Sequence, residues 1–355
     1  LLIVKHLVFS LSSFALALIW LSSCSSDSSG GNRQSSNILD KAKPTNTDKI
    51  NGVSFVSPPR KIGRELIEIP QQEVHANALS IMPYGFVGSE STEVIFNSRR
   101  QWWGERSEGC AQLIEMAQKE GYRVLLKPQV WKRGGAYTGK HDYLNEKDWQ
   151  AFEKSYGKFI LHYAALADSL EVDFFAIGTE WENFVNKRPL FWKQLISKVK
   201  DIYKGKVTYA ANWDEYSRVP FWEDLDLIGV DAYFPLVESR TPSVKEMKAS
   251  LQTVKHQLKN FSDSLQKLIL FTEYGYRSRD YNALRPWESE RGGTVNLLAQ
   301  ENAYTAFYEI FWKESFVAGG FIWKWFPNDA QSGGENHSGF SPQNKPVEEV
   351  IRRYY

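Results

Sequence analysis

Cysteine is scarce in this chain of 355 residues, where only Cys24 and Cys110 occur, so a disulfide-stapled scaffold is excluded and packing must hold the fold. Excess charge is lacking too, since 43 lysines and arginines face 42 aspartates and glutamates. That balance, without a basic stripe interleaved with aromatics, gives no electrostatic reason to bind a polyanion, and nucleic acid is not expected as a partner. The histidines, His6, His75, His141, His162, His256 and His337, are scattered without metal-ligand spacing, so neither a metal nor a cofactor is expected. No glycine-rich turn follows the first strand, and no phosphate-binding loop or Gly-x-Ser-x-Gly elbow occurs. The missing turn tells against an open doubly wound sheet, and nucleotide hydrolases and serine hydrolases are set aside. What the chain has in quantity is aromatic surface, with 13 Trp, 17 Tyr and 21 Phe.

At the amino terminus Lys5 and His6 precede an apolar stretch from Leu7 to Leu21. It is short for a spanning helix, which needs about 20 residues, and has the length of a signal-peptide core. The run Leu21-Ser22-Ser23-Cys24 resembles the lipobox of bacterial lipoproteins. That resemblance implies cleavage before Cys24, lipidation of that residue, and a place in the cell envelope facing the periplasm or the cell surface, with the membrane as a partner through the lipid. Residues 1–23 are thus expected to be a leader, and residues 24–50, dominated by Ser, Gly, Asn, Lys and Thr, a flexible tether. With Cys24 acylated no intramolecular disulfide remains, and Cys110, ahead of Ala111-Gln112-Leu113, reads as a buried helix residue.

Residues 51–355 are expected to form a single α/β domain. Apolar, β-branched or aromatic runs alternate there with helical patterns, which is the mark of a parallel sheet. The predicted strands are Gly52 to Ser57, Ala78 to Pro83, Arg123 to Lys127, Asp173 to Gly178, Lys206 to Ala211, Leu227 to Asp231, Leu268 to Thr272 and Gly319 to Trp323. Their number predicts a (β/α)8 TIM barrel, and an open doubly wound sheet is the competing fold. Trp149, Phe152, Tyr156, Phe159, Ile160 and Tyr163 recur at helical spacing. So do Trp192, Leu195, Ile196, Val199 and Ile202, in a helix expected to run from Pro189 to Gly205. One connection fits poorly: Asn212 to Asp226, between the fifth and sixth strands, has room for a short helix at most.

Two glutamates close apolar segments about three strand-helix repeats apart. Glu180 ends the run Phe-Phe-Ala-Ile-Gly-Thr-Glu, and Glu273 lies in Leu-Ile-Leu-Phe-Thr-Glu-Tyr-Gly-Tyr. Sites of such barrels sit at the C-terminal ends of the strands. A carboxylate there needs a reason, because a buried unpaired charge costs several kcal/mol or shifts its pKa instead. Two carboxyls converging on one pocket suit glycoside cleavage with retention, where one protonates the leaving oxygen and the other attacks the anomeric carbon. Glu182 is the nearest rival carboxylate and reads as a salt-bridge residue. Aromatic side chains stack on the flat C–H faces of sugars, and Trp323 and Trp325, Trp213, Trp131 and the Trp102-Trp103 pair are candidates to wall the cleft. Lys127, Gln129 and Asn212 follow strands and are candidates to bind hydroxyls; the alternative for Lys127 is an ion pair with a carboxylate such as Asp231. Tyr233, after Val230-Asp231-Ala232, is placed to donate to Glu273.

The paired glutamates resemble clan A of the glycoside hydrolases. Within it, Gly178-Thr179-Glu180, Phe271-Thr272-Glu273-Tyr274-Gly275, Gly319-Gly320-Phe321 leading to Trp323 and Trp325, and Gly339-Phe340-Ser341-Pro342 resemble glycoside hydrolase family 113. The resemblance covers about Asn51 to Tyr355. It implies that Glu180 is the general acid/base and Glu273 the nucleophile, and that the substrate is a β-1,4-mannan or manno-oligosaccharide. Many clan members carry Asn before the acid/base, where it contacts the sugar 2-hydroxyl; here that position is Thr179. Other β-glycans, and a carbohydrate-binding lipoprotein without turnover, are the alternatives. The protein is expected to be a monomer.

Overall fold

Six-residue runs such as Ile50–Phe55 and Ile269–Tyr274 are buried along their whole length, as strands covered on both faces must be. In the computed structural model, which describes residues 49–288 and 292–355, such runs build a closed parallel barrel of eight strands. The strands are β1 (Ile50–Phe55), β2 (Ala78–Ile81), β3 (Arg123–Leu126), β4 (Phe174–Thr179), β5 (Lys206–Asn212), β6 (Ile228–Asp231), β7 (Ile269–Tyr274) and β8 (Val317–Trp325). Each pairs with its sequence neighbours, and β1 closes on β8 with Ile50 opposite Gly319. All eight predicted strands are present within a few residues, and the doubly wound alternative is ruled out by the closure. The leader, Cys24 and nearly all of the expected tether lie outside the described residues.

The helices follow from the apolar spacing. α1 (Glu65–Val74) and α2 (Ser107–Lys119) come first; Cys110 is buried in α2, its thiol directed to the Gly104 carbonyl at 3.1 Å. α3 (Glu146–Ser169) buries Trp149, Phe152, Tyr156, Phe159, Ile160 and Tyr163, and opens on Asn145, which caps the Asp148 amide at 2.9 Å. A short α4 (Glu182–Lys187) precedes α5 (Pro189–Ile202), which starts at its proline and stops ahead of Gly205. α6 (Val244–Leu265) carries a Ser243/Glu246 capping box, and α7 (Leu297–Phe311) and α8 (Val347–Tyr354) complete the ring. The Asn212 to Asp226 connection holds only the turns Tyr216–Arg218 and Trp222–Asp224.

Two features were not expected. Tyr84–Val87 and Gln129–Lys132 pair in parallel as a second, two-stranded sheet beyond the ends of β2 and β3, which carries Gln129 and Trp131 out over the barrel mouth. The barrel register also slips beside both glutamates. Ala176 lies opposite Thr208 but Thr179 opposite Ala210, and Val230 lies opposite Phe271 but Asp231 opposite Glu273. Each of β4 and β7 therefore holds one extra residue just before its glutamate, a bulge that re-aims the side chains beyond it.

Packing at the seam leaves no room for a side chain at Gly319, whose φ of +124° is in the region open to glycine and where a Cβ would collide with the Ile50 backbone carbonyl. Gly319→Ala is expected to destabilise the barrel by about 3 kcal/mol or more, combining backbone strain with the clash. The shift of the urea midpoint at constant m measures it; a change under about 0.5 kcal/mol would contradict this view of the seam.

Candidate active site

Three donors meet on Glu273 at the end of β7. The Lys127 ammonium forms an ion pair with Oε1, Gln129 Nε2 donates to the same oxygen at 3.0 Å, and the Tyr233 hydroxyl donates to Oε2 at 2.8 Å. Lys127 and Tyr233 are buried, and Glu273 is 7% exposed. Hydrogen bonds to a charged group contribute about 1.5–3 kcal/mol each. The arrangement therefore suits the carboxylate and not the neutral acid.

Glu180, at the end of β4, is in the opposite situation. Among the described residues no side chain donates to its carboxyl. Burial comes first in holding its pKa well above the usual carboxylate range, followed by the negative charges of Asp231, Glu273 and Glu215, with Lys127 opposing. Its φ is +53°, a left-handed conformation that costs a non-glycine residue on the order of 1–3 kcal/mol. Helix ends account for His75 and Gln266, which share that conformation; Glu180 adopts it at a strand end, on the edge of a cavity. Gly178, two residues earlier, has no room for a Cβ, which would meet the Tyr156 hydroxyl and the Trp192 ring.

Both glutamates line one cavity of about 920 Å³ at the C-terminal mouth. Its wall also contains Gln129, Trp131, Thr179 and Trp323. The Thr179 hydroxyl is buried without a protein partner. Trp131 is 53% exposed, free to meet a ligand, and Lys127 lies 5.7 Å from the Trp323 ring centre.

Other candidates lie elsewhere than expected. Trp325 is completely buried in the core; β8 holds one extra residue opposite β1 between Ile322 and Trp325, a bulge that re-aims the side chain beyond it. Trp213 stacks on Trp287 at 5.3 Å in a separate depression with Tyr216 and Phe234. Trp103 is buried and Trp102 lies outside the cavity wall. Lys127, Asp231 and Tyr233 are buried and do not line the cavity. Lys127 pairs with Glu273, not Asp231. Asn212 stands behind the wall, donating to the hydroxyl of cavity-lining Tyr137 at 3.1 Å. Glu182 starts α4 and pairs with Arg218.

Sequence reasoning missed Tyr137, Arg277, His337 and Lys324, all in the wall. Arg277 donates to the Ser338 and Gly292 carbonyls. Lys324 packs against Trp323 and Phe326, its ring-centre distances being 4.9 and 5.3 Å; burial lowers its pKa, against the pull of Glu273. A charged residue between Trp323 and Trp325 was the available signal for Lys324. Tyr137 and His337 carried none.

Asp231 is the remaining member of the cluster. Thr272 donates to its Oδ1 at 2.7 Å, while Oδ2 is buried without a partner. Burial, then the charge of Glu273, push its pKa from 3.8 up to about 8, with Lys127 and Thr272 opposing. Between those values the native state binds a proton that the unfolded chain has released, so this group's contribution to stability falls as pH rises. Asp231→Asn removes that dependence. The urea midpoints of variant and parent are expected to move apart in the variant's favour as pH rises from about 5 to 8; parallel curves would contradict the assignment.

A model of Glycoside Hydrolase Family 113 matches residues 63–345. Among solved structures, the complex of a GH113 β-1,4-mannanase is 25% identical, with 87% of this chain and 99% of that one covered at a TM-score of 0.74. The GH113 β-mannanase of Alicyclobacillus acidocaldarius in complex with ManMIm is 22% identical, with 86% and 96% covered at a TM-score of 0.75. The β-glucuronidase of Ruminococcus gnavus is similar in fold, at 12% identity and a TM-score of 0.57, with 86% of this chain and 50% of that one covered. No curated protein matches at a significant level. With most of its length matched by the family model, and a barrel that presents two glutamates to one cavity, the chain belongs to glycoside hydrolase family 113 and is a glycoside hydrolase.

Proposed function

We propose that the protein hydrolyses β-1,4-linked mannan or manno-oligosaccharides with retention of configuration, through Glu273 as nucleophile and Glu180 as general acid/base. The observation that carries this reading is the contrast between the two carboxyls of one cavity. Glu273 receives three donors, whereas Glu180 receives none from the described residues and lies beside other carboxyls. A carboxyl held protonated beside one bound by donors separates acid from nucleophile. The mannan assignment is supported by the GH113 mannanases to which the chain is similar.

In the first step a Glu273 oxygen bonds to the anomeric carbon as the glycosidic C–O bond breaks, and the Glu180 proton passes to the departing oxygen. Esterification removes the charge of Glu273. That takes away a negative charge that helps to hold the proton on Glu180. Glu180 is then a carboxylate able to take a proton from water as the water oxygen attacks the anomeric carbon and releases Glu273. Trp323 and Trp131 offer ring faces to the sugar.

The lipobox-like Leu21-Ser22-Ser23-Cys24 supports a lipid anchor at Cys24 in the cell envelope, with the barrel carried on the segment that follows. Cys24→Ser is expected to move the protein from the membrane to the soluble fraction on fractionation, and retention on the membrane would count against the anchor.

On mannohexaose, Glu180→Gln is expected to lower kcat/KM by about 10²–10⁴-fold, and Glu273→Gln to leave no measurable turnover. Proton NMR of the unmodified enzyme is expected to detect the β-anomer of the new reducing end before mutarotation. First appearance of the α-anomer would overturn retention, and faster cleavage of cello-oligosaccharides would overturn the mannan assignment.

A further inference from the structure

Beneath Glu180 runs a buried chain of polar groups whose hydrogen bonds have no part in the reaction described above. Trp181, the next residue, drives its side chain away from the cavity into an aromatic cluster, 5.5 Å from both Phe152 and Tyr156 and 5.9 Å from Phe184 between ring centres. Its backbone N–H donates to the Tyr209 hydroxyl of β5 at 2.6 Å, and that hydroxyl donates to Glu215 Oε1 at 2.8 Å. The other oxygen, Glu215 Oε2, accepts the Asn212 N–H at 3.2 Å, and the Glu215 N–H donates back to the Asn212 carbonyl at 2.9 Å. Tyr209 and Glu215 are 0% and 2% exposed. Neither lines the cavity.

The chain needs such a device at this point. Glu180 is held at a positive φ, and its own N–H donates to the Ala210 carbonyl of β5 at 2.8 Å. A left-handed glutamate persists only where its surroundings over-determine it, and the two amides that bracket the turn, those of Glu180 and Trp181, are both bound by β5. A buried carboxyl that takes no part in chemistry also costs stability unless its bonds are needed.

We propose that Glu215 and Tyr209 are positioning residues for Glu180: the Glu215–Tyr209–Trp181 relay locks the turn that aims the Glu180 carboxyl at the glycosidic oxygen. The same glutamate, through Asn212, steadies the hydroxyl of Tyr137 in the cavity wall. A role that acts through Glu180 affects proton donation in the first step and not the attack by Glu273. The inference rests on the reading of Glu180 as the acid.

The test uses the full chain and two substrates that differ in their demand for a proton: phenyl β-mannoside, whose leaving group needs protonation, and 2,4-dinitrophenyl β-mannoside, whose leaving group does not. Tyr209→Phe is expected to lower kcat/KM on the phenyl substrate by about 10–100-fold and on the dinitrophenyl substrate by less than about threefold. Glu215→Gln, which keeps an acceptor for Tyr209 and loses the one for Asn212, is expected to show the same split with a smaller loss, and it carries the test if Tyr209→Phe does not fold. Equal losses on both substrates would reduce the relay to a structural role and overturn the proposal, as would unchanged kinetics. Glu180→Gln separates the two readings. If it shows the split and the relay variants do not, the relay fails alone; if it shows no split, the assignment of Glu180 fails first.

Discussion

One cation among four carboxyls sets the chemistry of this barrel. Lys127, wholly buried at the end of β3, binds Glu273 directly and lowers the pKa of both Glu180 and Asp231 through space. A single buried ammonium can neutralise one carboxylate, and geometry decides which. Glu273 has Lys127, Gln129 and Tyr233 around it. Burial pushes the pKa of Asp231 to about 8 and that of Glu215 to about 7, and holds Glu180 well above its ordinary value. Division of labour between identical functional groups follows from where the positive charge was placed.

The fold places that charge by departing from regularity. Were β4 and β7 ideal, their alternation would run unbroken into Glu180 and Glu273. The extra residue in each strand breaks it beside the site, so that Thr272 and Glu273, adjacent in sequence, both contribute to the interior cluster, one bonded to Asp231 and the other to Lys127. After β4 the left-handed Glu180 then separates a side chain that lines the cavity from Trp181, which enters the aromatic core. Aromatic richness thus serves two ends. Trp131 and Trp323 stay at the mouth, while Trp181, Trp192 and Trp325 fill the space between strands and helices.

Much of this was legible in the amino-acid order. The strands are rich in apolar residues because both faces are covered, and α3 and α5 show the aromatic spacing of helices packed on a sheet. The two glutamates stood out because a charge at the end of such a run is expensive, and Tyr233 does donate to Glu273. What could not be read was depth. Trp325 and Trp213 look like Trp323 in sequence, but Trp325 is buried beyond a bulge in β8 and Trp213 stacks on Trp287. Nor does composition reveal a register slip, or a short parallel pair such as Tyr84–Val87 with Gln129–Lys132, since both depend on partners distant in sequence. Tyr137 and His337 reach the wall from loops whose course no periodicity encodes.

The central claim is that Glu273 is the carboxylate kept charged for attack. Incubation with an activated 2-deoxy-2-fluoro-β-mannoside, followed by intact mass and peptide mapping, tests it most directly. The account predicts one fluoromannosyl group per chain, carried by Glu273. A label on Glu180, Asp231 or Glu215, or full inactivation with no adduct on Glu273, would contradict it.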